Sequence, residues 1–195
     1  HVALLEELGI PVIQPRLPFI KFALDKFVCM QSLASVGIIA PATYLLSDYT
    51  NSLSFPIFVK PRVGRGSRGA ARIDDADQLN KYISNNQMPL SDLIVQPCIQ
   101  GDEYTISVIA TRDGKLHSVV PKRIIKKVGV TRIAVTDSVP EITKLCHDIQ
   151  TNFRADGPFN VQLILDKDHV PFTFEINPRL STSTTLTSAC GVPEP

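Results

Sequence analysis

Apolar residues recur at helical spacing from Leu24 to Val36 (Leu24, Phe27, Val28, Leu33, Val36), and the run stops at Gly37. This pattern predicts an amphipathic helix ended by a glycine. Upstream, HVALLEELG reads as a helix capped by Gly9, and IPVIQP as a short strand after it. PATYLL (41–46) and FPIFVKP (55–61) read as strands, the second entered through Pro56 and left through Pro61. VGRGSRGAARI is a glycine-rich turn running into a strand near Ala70–Ile73, and Asp74 or Asp75 then caps a short helix over Ala76–Ser84. DLIVQPCI (92–99) is a continuous apolar run, which suits a buried strand that becomes a linker at Pro97. EYTISVIATRDGKLHSVVPKRII alternates and contains Asp113-Gly114, a strong hairpin signal. Pro140–Arg154 reads as a helix with Ile142, Leu145, Cys146 and Ile149 on one face, and 159–177 as a second hairpin.

Strands and a helix on each side of residues 97–101 predict an α+β fold of two lobes joined there. The expected division is 1–22 as the end of a preceding α/β domain, 23–98 as a first lobe carrying the glycine-rich loop, and 99–195 as a second lobe. The chain has 195 residues and opens on His1, inside a helix. Together with the abrupt last residues, this predicts that it is the middle of a longer protein. A net charge of +1 gives no global field for nucleic acid or an anionic membrane. No apolar run approaches the length of a bilayer span. Cys29, Cys98, Cys146 and Cys190 are scattered without C-x-x-C spacing, which suits reduced thiols of the cytoplasm. Neither nucleic acid nor a membrane is the expected partner, and the pattern leaves oligomeric state open.

The segment FNVQLILDKDHVPFTFEINPR carries the most chemistry. Side chains alternate along a strand. Val161, Leu163 and Leu165 are expected on one face of the first strand, and Val170, Phe172, Phe174 and Ile176 on one face of the second. If the turn around Lys167-Asp168 has an even residue count, Gln162 then faces a polar set ending in Glu175 and Asn177. Glu175 and Asn177 are ~6.6 Å apart along a strand, with oxygens pointing the same way. Three hard oxygen donors suit Mg²⁺ when phosphates complete its shell. Arg179 follows Pro178 and can reach a phosphate with a bidentate fork. Alternation alone also fits a hairpin whose polar face is simply solvated.

In FVKPRVGRGSRGA a strand delivers Lys60, and Gly64, Gly66 and Gly69 allow backbone N–H groups to wrap a polyphosphate. Arg65 and Arg68 add positive charge. The loop is neither a Walker A sequence nor a Rossmann fingerprint. In LIVQPCIQGDEYT a buried strand turns into the inter-lobe linker, so its backbone is free to bind adenine through the Pro97 carbonyl and the Ile99 N–H. Glu103 is placed to take ribose hydroxyls.

These three features fall in the order found in the ATP-grasp superfamily, which the chain resembles from about Asp25-Lys26 to its end. PIFVKP, GPFNVQ and FEINPRLSTSTTLTSACGVP look most like the ATP-binding domain of the carbamoyl-phosphate synthase large subunit. The resemblance implies an ATP-grasp fold with the nucleotide between two α+β lobes. It implies that Lys26 and Lys60 contact ATP phosphates, and that the 64–69 loop (Gly64, Gly66 and Ser67 included) closes over them. Gln96, Pro97 and Ile99 would hold adenine, and Glu103 the ribose. Gln162, Glu175 and Asn177 would ligate one or two Mg²⁺ ions, with Mn²⁺ as a possible substitute. Arg179 would stabilise the transferring phosphoryl group. The chain departs from the pattern at Gln96-Pro97, where an acidic residue is frequent, and at Gln162, where many members carry Glu. STSTTLTSA lacks the arginine-serine pattern of the synthase, which argues against bicarbonate as substrate.

The implied activity is an ATP-dependent carboxylate–amine ligase, in which a substrate carboxylate attacks the γ-phosphate and an amine then attacks the acylphosphate. An ATP-grasp kinase or phosphotransferase and a non-catalytic nucleotide-binding module are the alternatives. His117, His147 and His169 are expected at the surface, and Cys190 lacks a neighbouring histidine that would make it a nucleophile.

Overall fold

The computed structural model describes residues 2–64, 66, 68–189 and 191. After α1 (Val2–Glu7) come α2 (Leu17–Leu24) and α3 (Lys26–Ser35). Asp25 separates the last two because its carboxylate accepts from the Phe27 and Val28 amides and so caps α3. A four-stranded sheet follows, built from β1 (Tyr44–Leu45), β2 (Ile57–Pro61), β3 (Ala71–Ile73) and β4 (Leu93–Pro97) in the order β1-β4-β2-β3. Helix α4 (Ala76–Asn85), capped by Asp75, packs Leu79 onto it. A five-stranded antiparallel sheet comprises β5 (Asp102–Ala110), β6 (Leu116–Val128), β7 (Val130–Thr136), β8 (Phe159–Leu165) and β9 (Pro171–Asn177) in the order β7-β6-β5-β8-β9. Helix α5 (Pro140–Phe153) crosses between β7 and β8, and α6 (Thr184–Ala189) follows β9.

Each sheet has its own core. Leu46, Ile57, Val59, Ile73, Leu79, Leu93 and Val95 close the first. The second core is larger and includes Phe19, Ala23, Cys29, Met30 and Leu33 of α2 and α3 beside Ile106, Val108, Val161 and Leu163. By packing, these two helices therefore belong with the sheet that follows them at a distance in sequence. Asp25 ties them back to the first sheet through a bidentate pair with Arg62, at 2.8 Å to each oxygen.

Several expectations change. The strand expected through IPVIQP does not form, because the Val12 and Gln14 carbonyls accept from the Arg112 guanidinium instead of from a neighbouring strand. PATYLL shortens to Tyr44–Leu45 before a 3-10 turn at Leu46–Asp48. Helix α2 was not foreseen, although Pro18 in its first turn signals a start. Strand β7 was also missed: β6 turns back at Gly129, whose φ of +69° suits glycine, and Val128 pairs with Val130. The expected helices at 24–36, 76–84 and 140–154 and both hairpins do form, within a few residues. Gly101, at the crossing between sheets, has no room for a side chain: an added Cβ would lie 2.1 Å from the Leu165 carbonyl oxygen.

Candidate functional site

A cleft of about 340 Å³ opens between the two sheets. The first sheet and its loop supply Phe58, Lys60, Gly64, Gly66, Arg68 and Gln96, the connecting segment Pro97, Cys98 and Ile99, and the second sheet Glu103, Lys127, Gln162, Ile164, Phe172, Phe174 and Glu175. Lys26 reaches in from the first turn of α3.

The centre of the cleft is electrostatic. Lys26 is 8% exposed, and its Nζ lies 3.1 Å from Glu175 Oε1 and 3.1 Å from the Gly64 carbonyl. Asp25, by capping α3, aims the Lys26 stem inward, which is why this helix lysine is not a surface one. Lys60, on β2, is equally buried and donates to the Phe174 carbonyl at 3.2 Å, with its ammonium 5.0 Å from the Phe174 ring centre. Burial pulls the Lys60 pKa down from 10.5 to about 8; Glu175 opposes that pull and Lys26 adds to it. Two ammonium groups of different elements thus converge on one carboxylate and one carbonyl of β9.

The hairpin carrying Glu175 solves its register in an unexpected way. Five residues, 166–170, separate β8 from β9, and from this turn Leu165 faces Pro171, Ile164 faces Phe172 and Leu163 faces Thr173. Straight alternation from there would put Glu175 on the core side. A bulge at Phe174 inserts one residue, so Gln162 faces Glu175, Val161 faces Ile176 and Asn160 faces Asn177. The expected apolar face of β9 is corrected accordingly. Thr173 and Ile176 are buried in the core, whereas Phe172 and Phe174 line the cleft.

Of the residues singled out in the sequence, Lys26, Lys60, Gly64, Gly66, Arg68, Gln96, Pro97, Ile99, Glu103, Gln162 and Glu175 line this one cleft. Asn177 shares the strand face of Glu175 two pairs further along, opposite Asn160, and does not line the cleft itself. Arg179 is exposed, donates to the Leu180 carbonyl at 2.9 Å and also stands outside the lining. Ser67, Arg65 and Cys190 lie outside the described residues. Glu103 is held in an ion pair by Lys127. Lys127 escaped the sequence reading because it belongs to the unforeseen β6–β7 hairpin; the signal available was Val-Gly-Val at 128–130. Phe172 and Phe174, expected on the apolar face of the second strand, join Phe58 and Ile164 to give the cleft its apolar walls. His117, His147 and His169 are exposed.

Residues 89–195 match the model of a family described as ATP-grasp in the biosynthetic pathway with Ter operon. Among curated proteins, the D-alanine–D-alanine ligase of Alcanivorax borkumensis is 29% identical over 105 residues, which are 54% of this chain and 34% of that protein. The D-alanine–D-alanine ligase of Corynebacterium glutamicum (strain ATCC 13032) is 29% identical over 119 residues, 57% of this chain and 33% of that protein. The chain thus spans about a third of the length of these relatives. Among solved structures, the D-alanine–D-alanine ligase of Bacillus anthracis complexed with ATP superposes with a TM-score of 0.75 at 23% identity, covering 98% of this chain and 69% of that one. Biotin carboxylase of Campylobacter jejuni superposes with a TM-score of 0.79 at 15% identity, covering 96% and 47%. At these identities the structural likeness concerns the fold.

Proposed function

The chain belongs to the ATP-grasp family of the biosynthetic pathway with Ter operon, and from that footing we propose that it is the nucleotide-binding core of a ligase that phosphorylates a carboxylate with Mg·ATP and joins it to an amine. The observation that carries the reading is the meeting of Lys26 of α3 and Lys60 of β2 with Glu175 of β9 in one cleft. Two ammonium groups held apart from bulk water share one carboxylate, so the pairing leaves a net positive charge of the kind a polyphosphate needs. The relatives named D-alanine–D-alanine ligases support a carboxylate and an amine as substrates. The finer likeness to carbamoyl-phosphate synthase rests on the strings PIFVKP, GPFNVQ and FEINPR.

The oxygen donors fit a magnesium ion. Gln162 and Glu175 are cross-strand partners facing the cleft, and Asn177 follows on the same face. These three would hold Mg²⁺, which supplies charge neutralisation between phosphates. Lys26 stands against the Glu175 carboxylate. A polyphosphate entering the cleft draws Lys26 and Lys60 to its oxygens and leaves the Glu175 carboxylate free to ligate. Phe58, Ile164, Phe172 and Ile99 enclose the base, and Glu103, fixed by Lys127, meets the ribose. Gly64 and Gly66 close the backbone over the phosphates, which keeps water from an acylphosphate. Arg179 stands beyond the lining, bound to the Leu180 carbonyl, and would have to turn toward the cleft to meet the transferring phosphoryl group.

Incubating the protein with Mg·ATP, hydroxylamine and a panel of carboxylates tests the reading. Hydroxamate with stoichiometric ADP is the expected result. Phosphorylated product without hydroxamate would make the enzyme a kinase, and nucleotide binding without ADP release would make it a binding module.

A further inference from the structure

The inner end of the cleft contains a hydrogen-bond chain whose direction is fixed, and it begins at a residue outside every motif. Thr43 Oγ1 lies 2.7 Å from the Pro41 carbonyl oxygen. A carbonyl only accepts, so the hydroxyl proton is committed there. The same hydroxyl oxygen lies 2.8 Å from the Gln96 amide nitrogen and must accept from it. That settles which way the amide points: nitrogen toward Thr43, Oε1 away from it. Thr43 is itself held in place, being 6% exposed, with its carbonyl accepting from Gln31 Nε2 at 3.0 Å just before β1.

Gln96 is 3% exposed and borders the cleft from β4. Among the described residues none donates to its Oε1. The amide oxygen of a largely buried side chain that borders a cavity, without a protein donor, meets a donor on whatever fills the cavity. Around it, Phe58, Ile99, Ile164 and Phe172 give a flat apolar slot.

We propose that Thr43 is a specificity-determining residue. By fixing the Gln96 amide it presents an acceptor at the inner end of the slot, which selects a purine with an amino group at position 6 and rejects a 6-oxo purine. This inference rests on the nucleotide reading above and deepens it. A carboxylate at position 96 would accept with either oxygen and need no orienting partner. An amide can turn over and offer N–H instead, so Thr43 and Gln96 together do what a lone carboxylate does. Thr43 acts through Gln96 and touches no ligand itself.

Inosine triphosphate carries the 6-oxo group on an otherwise similar base, so the ratio of Mg·ATP to Mg·ITP affinity, measured by calorimetry, reads the amide's orientation. The protein is expected to prefer ATP by at least about tenfold, the worth of one ordinary hydrogen bond made or lost at a desolvated site. Thr43→Val removes the hydroxyl at similar size and should bring the ratio close to one. Thr43→Ser should keep it, and Gln96→Glu placed in the Thr43→Val background should restore it. The rescue distinguishes loss of orientation from simple loosening. An unchanged ratio in Thr43→Val, or no recovery with Gln96→Glu, overturns the inference. Equal binding of ATP and ITP by the unaltered protein overturns this inference alone, whereas binding of neither removes the nucleotide reading as well.

Discussion

Replacing Lys60 by methionine should make the unliganded protein more stable while stripping it of nucleotide. Burial lowers the Lys60 pKa from 10.5 to about 8. Each tenfold change in proton affinity is about 1.4 kcal/mol, so holding this ammonium charged in its buried position costs on the order of 3 kcal/mol at neutral pH. Methionine keeps the unbranched stem and its contact with the Phe174 ring. It gives up the 3.2 Å hydrogen bond to the Phe174 carbonyl, about 1 kcal/mol, and part of the neutralisation of Glu175, which retains Lys26 at 3.1 Å. The net expectation is a gain of roughly 1–2 kcal/mol in urea unfolding at pH 7. The pH dependence has a definite sign. Below about pH 8 Lys60 is charged both folded and unfolded, and its cost is fully present. Between about 8 and 10.5 the unfolded chain binds the proton that the folded one has released, so the native protein gains stability as pH rises. The advantage of Lys60→Met should therefore shrink toward pH 10. Saturating Mg·ATP, which at a hundred times its Kd stabilises a binder by about 2.7 kcal/mol, should shift the unaltered protein and leave the variant where it was. A less stable variant at pH 7, an advantage that does not change with pH, or equal stabilisation of both by Mg·ATP refutes the reasoning.

Other expectations follow from the same geometry. Glu175→Gln removes the carboxylate facing Lys26 and Gln162; Mn²⁺ affinity in the presence of ATP, followed by paramagnetic resonance, should fall at least about tenfold, and an unchanged value would take Glu175 out of the metal site. Gly101→Ala drives a Cβ to 2.1 Å from the Leu165 carbonyl, so thermal unfolding should show a loss of at least about 2 kcal/mol; a neutral result would mean that the crossing segment yields freely. Lys122 is fully buried and binds Ser107 Oγ at 2.6 Å, Thr187 Oγ1 at 2.7 Å and the Ser183 carbonyl at 3.4 Å. Lys122→Met should speed hydrogen exchange at 183–187 by about tenfold or more while β5 and β8 stay protected; uniform exchange across the sheet would deny Lys122 its local role.

Much of the cleft was legible because its chemistry is concentrated in short strings. Lys60 next to Pro61, the glycine loop and the FEINPR strand each state a local geometry, and Lys60, Gly64, Gly66 and Glu175 do line one cleft, whereas Asn177 and Arg179 stand outside it. What escaped depends on long-range pairing. Lys127 reaches Glu103 only because β6 continues past the expected hairpin and turns at Gly129. Thr43 matters only through Gln96, fifty-three positions away. The face of β9 was misread because alternation assumes a ladder without insertions, and the bulge at Phe174 breaks that assumption. The inward turn of Lys26 likewise requires α3 to pack on the second sheet, a tertiary fact that helical periodicity does not carry.

The extra residue in β9 has a consequence for sequence change. Taking Phe174 out would leave Thr173 and Ile176 facing inward with Glu175 between them, an ordinary alternating ladder, so the hairpin would close as before. What would vanish is the carbonyl that receives Lys60 and one aromatic wall of the slot. A chain shorter by this one residue would keep its architecture and lose its grip, which makes position 174 a place where descent can part shape from activity in a single step.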